Sequence, residues 1–278
     1  MDFPRKFANW IVVFLVLITI PRHASDQSNK ATQLIKVTMG MKDNYQFLKM
    51  IGPSVSNFGD EQDYKIYKRA LQHQVETELL QLQMELGTAY EEMRRTQKIS
   101  LELYYRILDA NIDRVEFELI RLTKVANGLE KTQTHHYLQM GFRELAVAKR
   151  KLLIARNTHP QLFLIKLQDC SFALKSVKQA QKYIILLGLL HDGEYESEDE
   201  KDSFEAMKME IQRVFLEKSD KYLRFHYDTN FMTYDNRDLF EEIWNKPDLE
   251  ELMNPLPGID DAYIRNPNLP KIPERGSE

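Results

Sequence analysis

Apolar side chains recur every three or four residues through most of the 278-residue chain. Val75, Leu79, Leu82, Leu86, Ala89 and Met93 step by 4, 3, 4, 3 and 4. Leu101, Tyr104, Leu108, Ile112, Val115, Leu119, Leu122, Ala126 and Leu129 also step by threes and fours. That is the period of an α-helix, whereas a strand would step by two. Proline placement agrees: between Ser54 and Lys246 only Pro160 occurs. So long a stretch with one proline is free to be helical.

The pattern predicts a helix over 28–51, with Leu34, Val37, Met41, Tyr45 and Leu48 on one face and Gly52-Pro53 as its stop. Asp60 caps a segment over 61–127, which Asn127-Gly128 ends. As one helix this segment would be about 100 Å long, and a compact domain of this size is about half as wide. The polar run Arg94-Arg95-Thr96-Gln97-Lys98 is the favoured break, because the apolar register slips there. The alternative is one long projecting helix. Helices over 133–156 and 160–190 follow, the first with Leu138, Phe142, Leu145 and Leu152 inward. The second carries Phe163, Leu167, Cys170, Leu174, Val177, Ile184 and Leu187. An acidic loop spans 191–202, and Asp202-Ser203-Phe204-Glu205 reads as a capping box opening a helix over 203–226. A shorter helix lies near 236–245, and the proline-rich stretch from 254 reads as extended. The expected fold is all-α: an antiparallel multi-helix bundle of long helices with an extended C-terminal tail.

The N-terminus reads as an export signal. Arg5 and Lys6 precede the apolar run from Trp10 to Ile20, which is short of a membrane span, and Pro21 is expected to break the helix. Ala24 and Ser25 offer small residues for cleavage. The domain reading is therefore a signal over 1–25, a helical bundle over 26–253 and a proline-rich tail over 254–278. An uncleaved signal anchor is the alternative for the first segment. Cleavage moves the net charge from −4 to −6, since Asp2, Arg5, Lys6 and Arg22 leave with it. Cys170 is the single cysteine, so no internal disulfide can form and burial must carry stability. On the apolar stripe of its helix it reads as a buried structural thiol. No Asn-x-Ser/Thr sequon occurs.

Chemistry-bearing motifs are scarce. His135 and His136 are adjacent and point about 100° apart on a helix, a poor start for a metal site. The acidic stretch Asp192–Glu200 lacks the glycine and ligand spacing of a calcium loop. There is no nucleophile elbow, phosphate-binding glycine loop or HExxH helix. The sequence therefore reads as a non-enzyme with no cofactor and no metal. The net negative charge argues against nucleic acid as a partner.

Charge layout says more. From Arg143 to Lys182 the basic residues are Arg143, Lys149, Arg150, Lys151, Arg156, Lys166, Lys175, Lys178 and Lys182, opposed only by Glu144 and Asp169, a net of +7. The segments 191–205 and 235–261 each carry −7. Either the acidic segments cover the basic helices, or those helices form an exposed patch for a sulfated glycan or an anionic surface. Aromatic residues cluster towards the C-terminus: Tyr227, Phe231, Tyr234, Phe240 and Trp244 are a candidate protein-contact patch if exposed together, and otherwise core or tail packing.

The apolar leader WIVVFLVLITI, the segments DYKIYKRALQHQVETELLQLQ and YEEMRRTQKISLELYYRIL, and the single cysteine give the chain its format. In that format it resembles a family of salivary proteins of blood-feeding mosquitoes, named for a mass of about 34 kDa. The resemblance implies a secreted, non-enzymatic factor that acts by stoichiometric recognition of a host or cuticular partner, modulating haemostasis or immunity. Two other readings stand beside it. One is a carrier of a small apolar ligand in a bundle cavity lined by Met39, Met41, Met50, Met84, Met93 and Met140. The other is a coiled-coil self-association module built on 75–129.

Overall fold

A computed structural model of the chain describes residues 5–126, 132–191, 238–254 and 256. All the secondary structure among them is helical: α1 (Arg5–Phe58), α2 (Glu61–Leu82), α3 (Leu86–Ala126), α4 (Thr132–Asn157), α5 (Phe163–His191), α6 (Leu239–Trp244), and a 3-10 turn over Glu250–Met253. The acidic loop, the helix over 203–226 and the tail beyond 256 lie outside the described residues, as do Tyr227, Phe231 and Tyr234.

The helices alternate in direction around α3. Gln81 donates to Thr38 (2.7 Å) and Tyr67 to the Leu48 carbonyl (3.1 Å), so α1 and α2 are antiparallel. His73 meets Glu92 and Arg106 meets Asp63, which sets α2 antiparallel to α3. Pairs Arg156–Asp109 and Lys149–Glu116 run α4 down the other side of α3, and α5 returns beside α4. Thus α1 and α2 flank one side of α3, and α4 and α5 the other. The α3 stripe Leu101, Tyr104, Leu108, Ile112, Val115, Leu119 and Leu122 is buried throughout and forms the shared core with Leu48, Ile51, Leu71, Leu167, Leu174 and Val177.

Three expectations need correction. First, α1 does not stop at Gly52-Pro53 but continues to Phe58, and it runs through Pro21 as well. Pro53 lacks an N–H and leaves the Lys49 carbonyl without its helical donor. In the same turn the carbonyls of Phe47 and Leu48 accept hydroxyls from Tyr104 (2.8 Å) and Tyr67 (3.1 Å), which ties the turn to its neighbours. Gly52 serves as packing surface here: a Cβ at this position would lie 2.7 Å from the Tyr67 hydroxyl.

Second, the break in 61–127 falls at residues 83–85, and α3 passes uninterrupted through 94–98. The Met84 N–H donates to the Gln81 carbonyl (3.0 Å) and the Glu85 N–H to the Leu80 carbonyl (2.9 Å). This is the paired bonding of a Schellman stop, whose left-handed position usually holds glycine. Here it holds Met84, at φ 62°. The polar run in α3 turns inward, with Thr96 and Gln97 buried, so polarity did not mark a loop.

Third, the stripe read across Val75–Met93 joins two helices. Leu79 and Leu82 are exposed, while Leu86, Ala89 and Met93 are buried. The turn keeps a four-residue step between Leu82 and Leu86, so the spacing hides it. The inward face of α2 holds Ile66, Tyr67, Ala70 and Leu71 together with Gln72, His73, Gln74 and Thr77. Phe142, expected inward, is likewise exposed.

Met84 gives a direct test. A non-glycine residue in the left-handed region costs about 1 kcal/mol, and this side chain is mostly in solvent. Met84→Gly is expected to raise the unfolding free energy by about 1 kcal/mol, read from the urea midpoint at unchanged slope. A loss of stability would contradict the turn geometry.

The segment around α6 returns to the α1–α2 pair. Asp238 caps α6 by accepting from the Phe240 and Glu241 N–H groups (3.0 and 3.3 Å). Leu239, Phe240 and Ile243 are buried. Beyond α6, Gln72 donates to the Asp248 carbonyl (2.6 Å) and Lys68 pairs with Glu251 (2.7 Å).

Candidate binding face

The nine basic residues of 143–182 divide into two groups. Lys166, Lys178 and Lys182 are buried, and burial pulls the Lys178 ammonium down to about 7. Arg143, Lys149, Arg150, Arg156 and Lys175 are exposed, with Lys151 half-buried. Three of these six are paired: Lys149 with Glu116 (2.5 Å), Lys151 with Asp169 (2.8 Å) and Arg156 with Asp109 (2.5 Å). The Lys175 ammonium lies 5.4 Å from the Phe172 ring centroid. Arg143 and Arg150 stand on the outer side of α4.

The apolar side chains among them were not foreseen. Phe142, Ala146 and Leu153 are exposed on α4 and fall within about 40° of arc at 100° per residue. Arg143 and Arg150 lie on one flank of that line, and Lys149 and Arg156 on the other. Across the seam on α3, Phe117 is 65% exposed and Ile120 46%. The cause is architectural. Phe58, the last residue of α1, lies under Arg114 (4.6 Å), so the α1–α2 pair ends level with that part of α3. Phe117 and Ile120 sit past that end.

The C-terminal aromatic pair is placed differently. Phe240 is buried and Trp244 partly buried. Both pack on Tyr45 (centroids 4.9 and 5.9 Å), with the Lys49 ammonium 5.0 Å from the Phe240 ring. They fasten α6 to α1.

One ionic cluster escaped the sequence reading. Between α2 and α3, His73 Nδ1 lies 2.7 Å from Glu92 Oε2, and Arg95 pairs with the other carboxylate oxygen. Both His73 and Glu92 are buried. A His–carboxylate pair suits acid–base work only where a substrate can reach it, and this one is sealed in a helix interface. Burial first, and the nearby Glu92 charge second, hold the Glu76 carboxyl above its ordinary 4.5. A raised carboxyl binds more protons folded than unfolded, so its contribution to stability falls as pH rises above 4.5. Glu76→Gln is expected to be more stable than the parent at pH 7, with the gap closing below pH 4.5; urea midpoints at both pH values check it.

Cys170 is fully buried, and burial pushes its thiol up to about 12. His135, His136 and His159 are exposed. Among the described residues no group of three or more His, Cys, Asp or Glu is placed to hold a metal. The methionines do not converge: Met93 is in the core, while Met39 and Met84 are exposed. An open depression of about 410 Å³ lies beside the α2–α3 turn, lined by Lys30, Gln33, Met84, Glu85 and neighbours. No helix among the described residues is long and apolar enough to cross a membrane.

The described residues thus form an all-helical body that carries a mixed cationic and apolar face on α4. Residues 31–259 match the family described as surface protein adhesin OmpL37, and the chain belongs to that family. This overturns the likeness to mosquito salivary proteins. That likeness rested on an apolar leader, a charged helical body and few cysteines, a format that unrelated exported bundles share. No curated protein and no solved structure matches the chain significantly. Membership in a surface-adhesin family accords with a non-enzymatic binding protein at a surface or outside the cell.

Proposed function

We propose that this chain is an adhesin-type binding protein that holds an anionic partner stoichiometrically on the outward face of α4 and the adjoining edge of α5. The observation that carries this reading is the pair Arg143 and Arg150. Both are exposed, and neither is matched by a carboxylate among the described residues. Lys149, Lys151, Arg156 and Lys175 enlarge the positive field. Lys166, Lys178 and Lys182, being buried, serve the interior. Export directed by residues 1–25 and a bundle over 26–253 with a following tail complete the picture.

Long-range attraction between an exposed cationic row and a polyanion weakens as salt shortens the screening length, from about 10 Å at 0.1 M to about 3 Å at 1 M. The full chain is expected to be retained on immobilised heparin at 0.05 M salt and released by 0.5 M. Arg143→Glu with Arg150→Glu should elute much earlier. Retention that ignores both salt and the two arginines overturns the reading.

A further inference from the structure

A sulfated glycan has no use for phenylalanine and leucine, yet the arginines flank a line that contains both. Phe142 and Leu153, with the small Ala146 between them, form an apolar line along the α3 side of the outermost Arg143 and Arg150; Leu153 is 60% exposed and cations stand on both sides. We infer that this outer face of α4, the apolar line together with Arg143 and Arg150, docks on the interface of a bilayer containing anionic phospholipid. This deepens the anionic-partner reading above and rests on it.

The geometry favours this occupant over a protein helix. Helices pack by seating ridges in grooves, and a partner helix here would need an open groove beside the apolar line. The seam beside it, towards α3, is closed by Lys149–Glu116 and Arg156–Asp109. A bilayer interface accommodates such a line by parting headgroups around it. Interfacial helices carry this arrangement: Phe or Leu enter the acyl boundary, while Arg and Lys stems extend outward to the phosphates. From Phe142 to Leu153 the line runs about 17 Å along α4. Ile120 and Phe117 on α3 widen the apolar strip on one side. Arg143 and Arg150, without a carboxylate partner among the described residues, supply charge complementarity, each worth about 1 kcal/mol near an anionic leaflet, or about a fivefold change in partitioning.

The test is co-sedimentation of the full chain with vesicles of phosphatidylcholine alone or with one-third phosphatidylglycerol, beside the heparin column. The parent is expected to bind the anionic vesicles at least tenfold more tightly than the neutral ones. Phe142→Ser with Leu153→Ser should lose at least tenfold on anionic vesicles while keeping heparin retention. Arg143→Glu with Arg150→Glu should lose both. Ile35→Ser with Met39→Ser, exposed apolar residues on α1, should change neither, and circular dichroism confirms that each variant is folded. Heparin retention without vesicle binding, or vesicle binding indifferent to Phe142 and Leu153, overturns the lipid inference and leaves the anionic-partner reading standing. Loss of heparin and vesicle binding alike in the parent overturns both.

Discussion

Replacing Tyr104 with alanine is expected to lower the unfolding free energy by about 4 kcal/mol. Tyr104 is fully buried, packs edge-on to Phe47 (6.5 Å between centroids, 89°) and donates its hydroxyl to the Phe47 carbonyl (2.8 Å). It sits where α1, α3 and the shared core meet, so no neighbour can relax into the space without leaving a second gap. The conservative change separates two contributions. Tyr104→Phe keeps the ring and loses only the hydrogen bond, an expected cost of about 1 kcal/mol. Urea unfolding of the three proteins decides it. A cost below about 1.5 kcal/mol for the alanine variant would mean that α1 is not held against α3 by this residue.

The second large effect is at Glu92. Its two carboxylate oxygens serve His73 and Arg95 within a helix interface. Glu92→Ala strips both partners at once and is expected to cost about 3 kcal/mol, because a buried polar group without its counterpart keeps its desolvation penalty. His73→Leu combined with Glu92→Leu should recover most of the loss, since matched apolar residues replace the buried pair and Arg95, partly exposed, can turn to solvent. If the double variant is no more stable than Glu92→Ala, the pair contributes something that apolar packing cannot replace. The two outcomes separate in one denaturation series.

Both residues bear on how much of this molecule can be read from its sequence. The α3 stripe from Leu101 to Leu122 was legible because packing there follows helical spacing without exception, and every member is buried. The α4 and α5 boundaries were legible from Asn157 and Pro160. The start of α2 was legible from its Asp60 cap, but its inward face was not, because that face includes Gln72, His73, Gln74 and Thr77, whose burial depends on partners from other helices such as Asn44 and Glu92. A periodicity count cannot see a polar residue that will be satisfied from a distant helix. The α2–α3 turn escaped for a related reason: Met84 occupies a position that glycine normally announces. At the candidate face, the cations were legible as a run of charge. Which of them point outward was not, since Lys178 and Arg150 look alike in a sequence and differ only in which side of the helix faces the core. Phe142 reads as inward in the sequence for the opposite reason: a large apolar residue on a helix is more often core.

α3 is one unbroken 41-residue helix with neighbours on both flanks. Tension applied at the far side of α4 therefore enters a rod that also anchors α1 and α2. Such a rod cannot lengthen locally without giving up backbone hydrogen bonds that both flanks rely on, so detaching one pair of helices weakens the seat of the other. For a member of a surface-adhesin family, strain would then be shared across the described helices instead of peeling away one hairpin at a time.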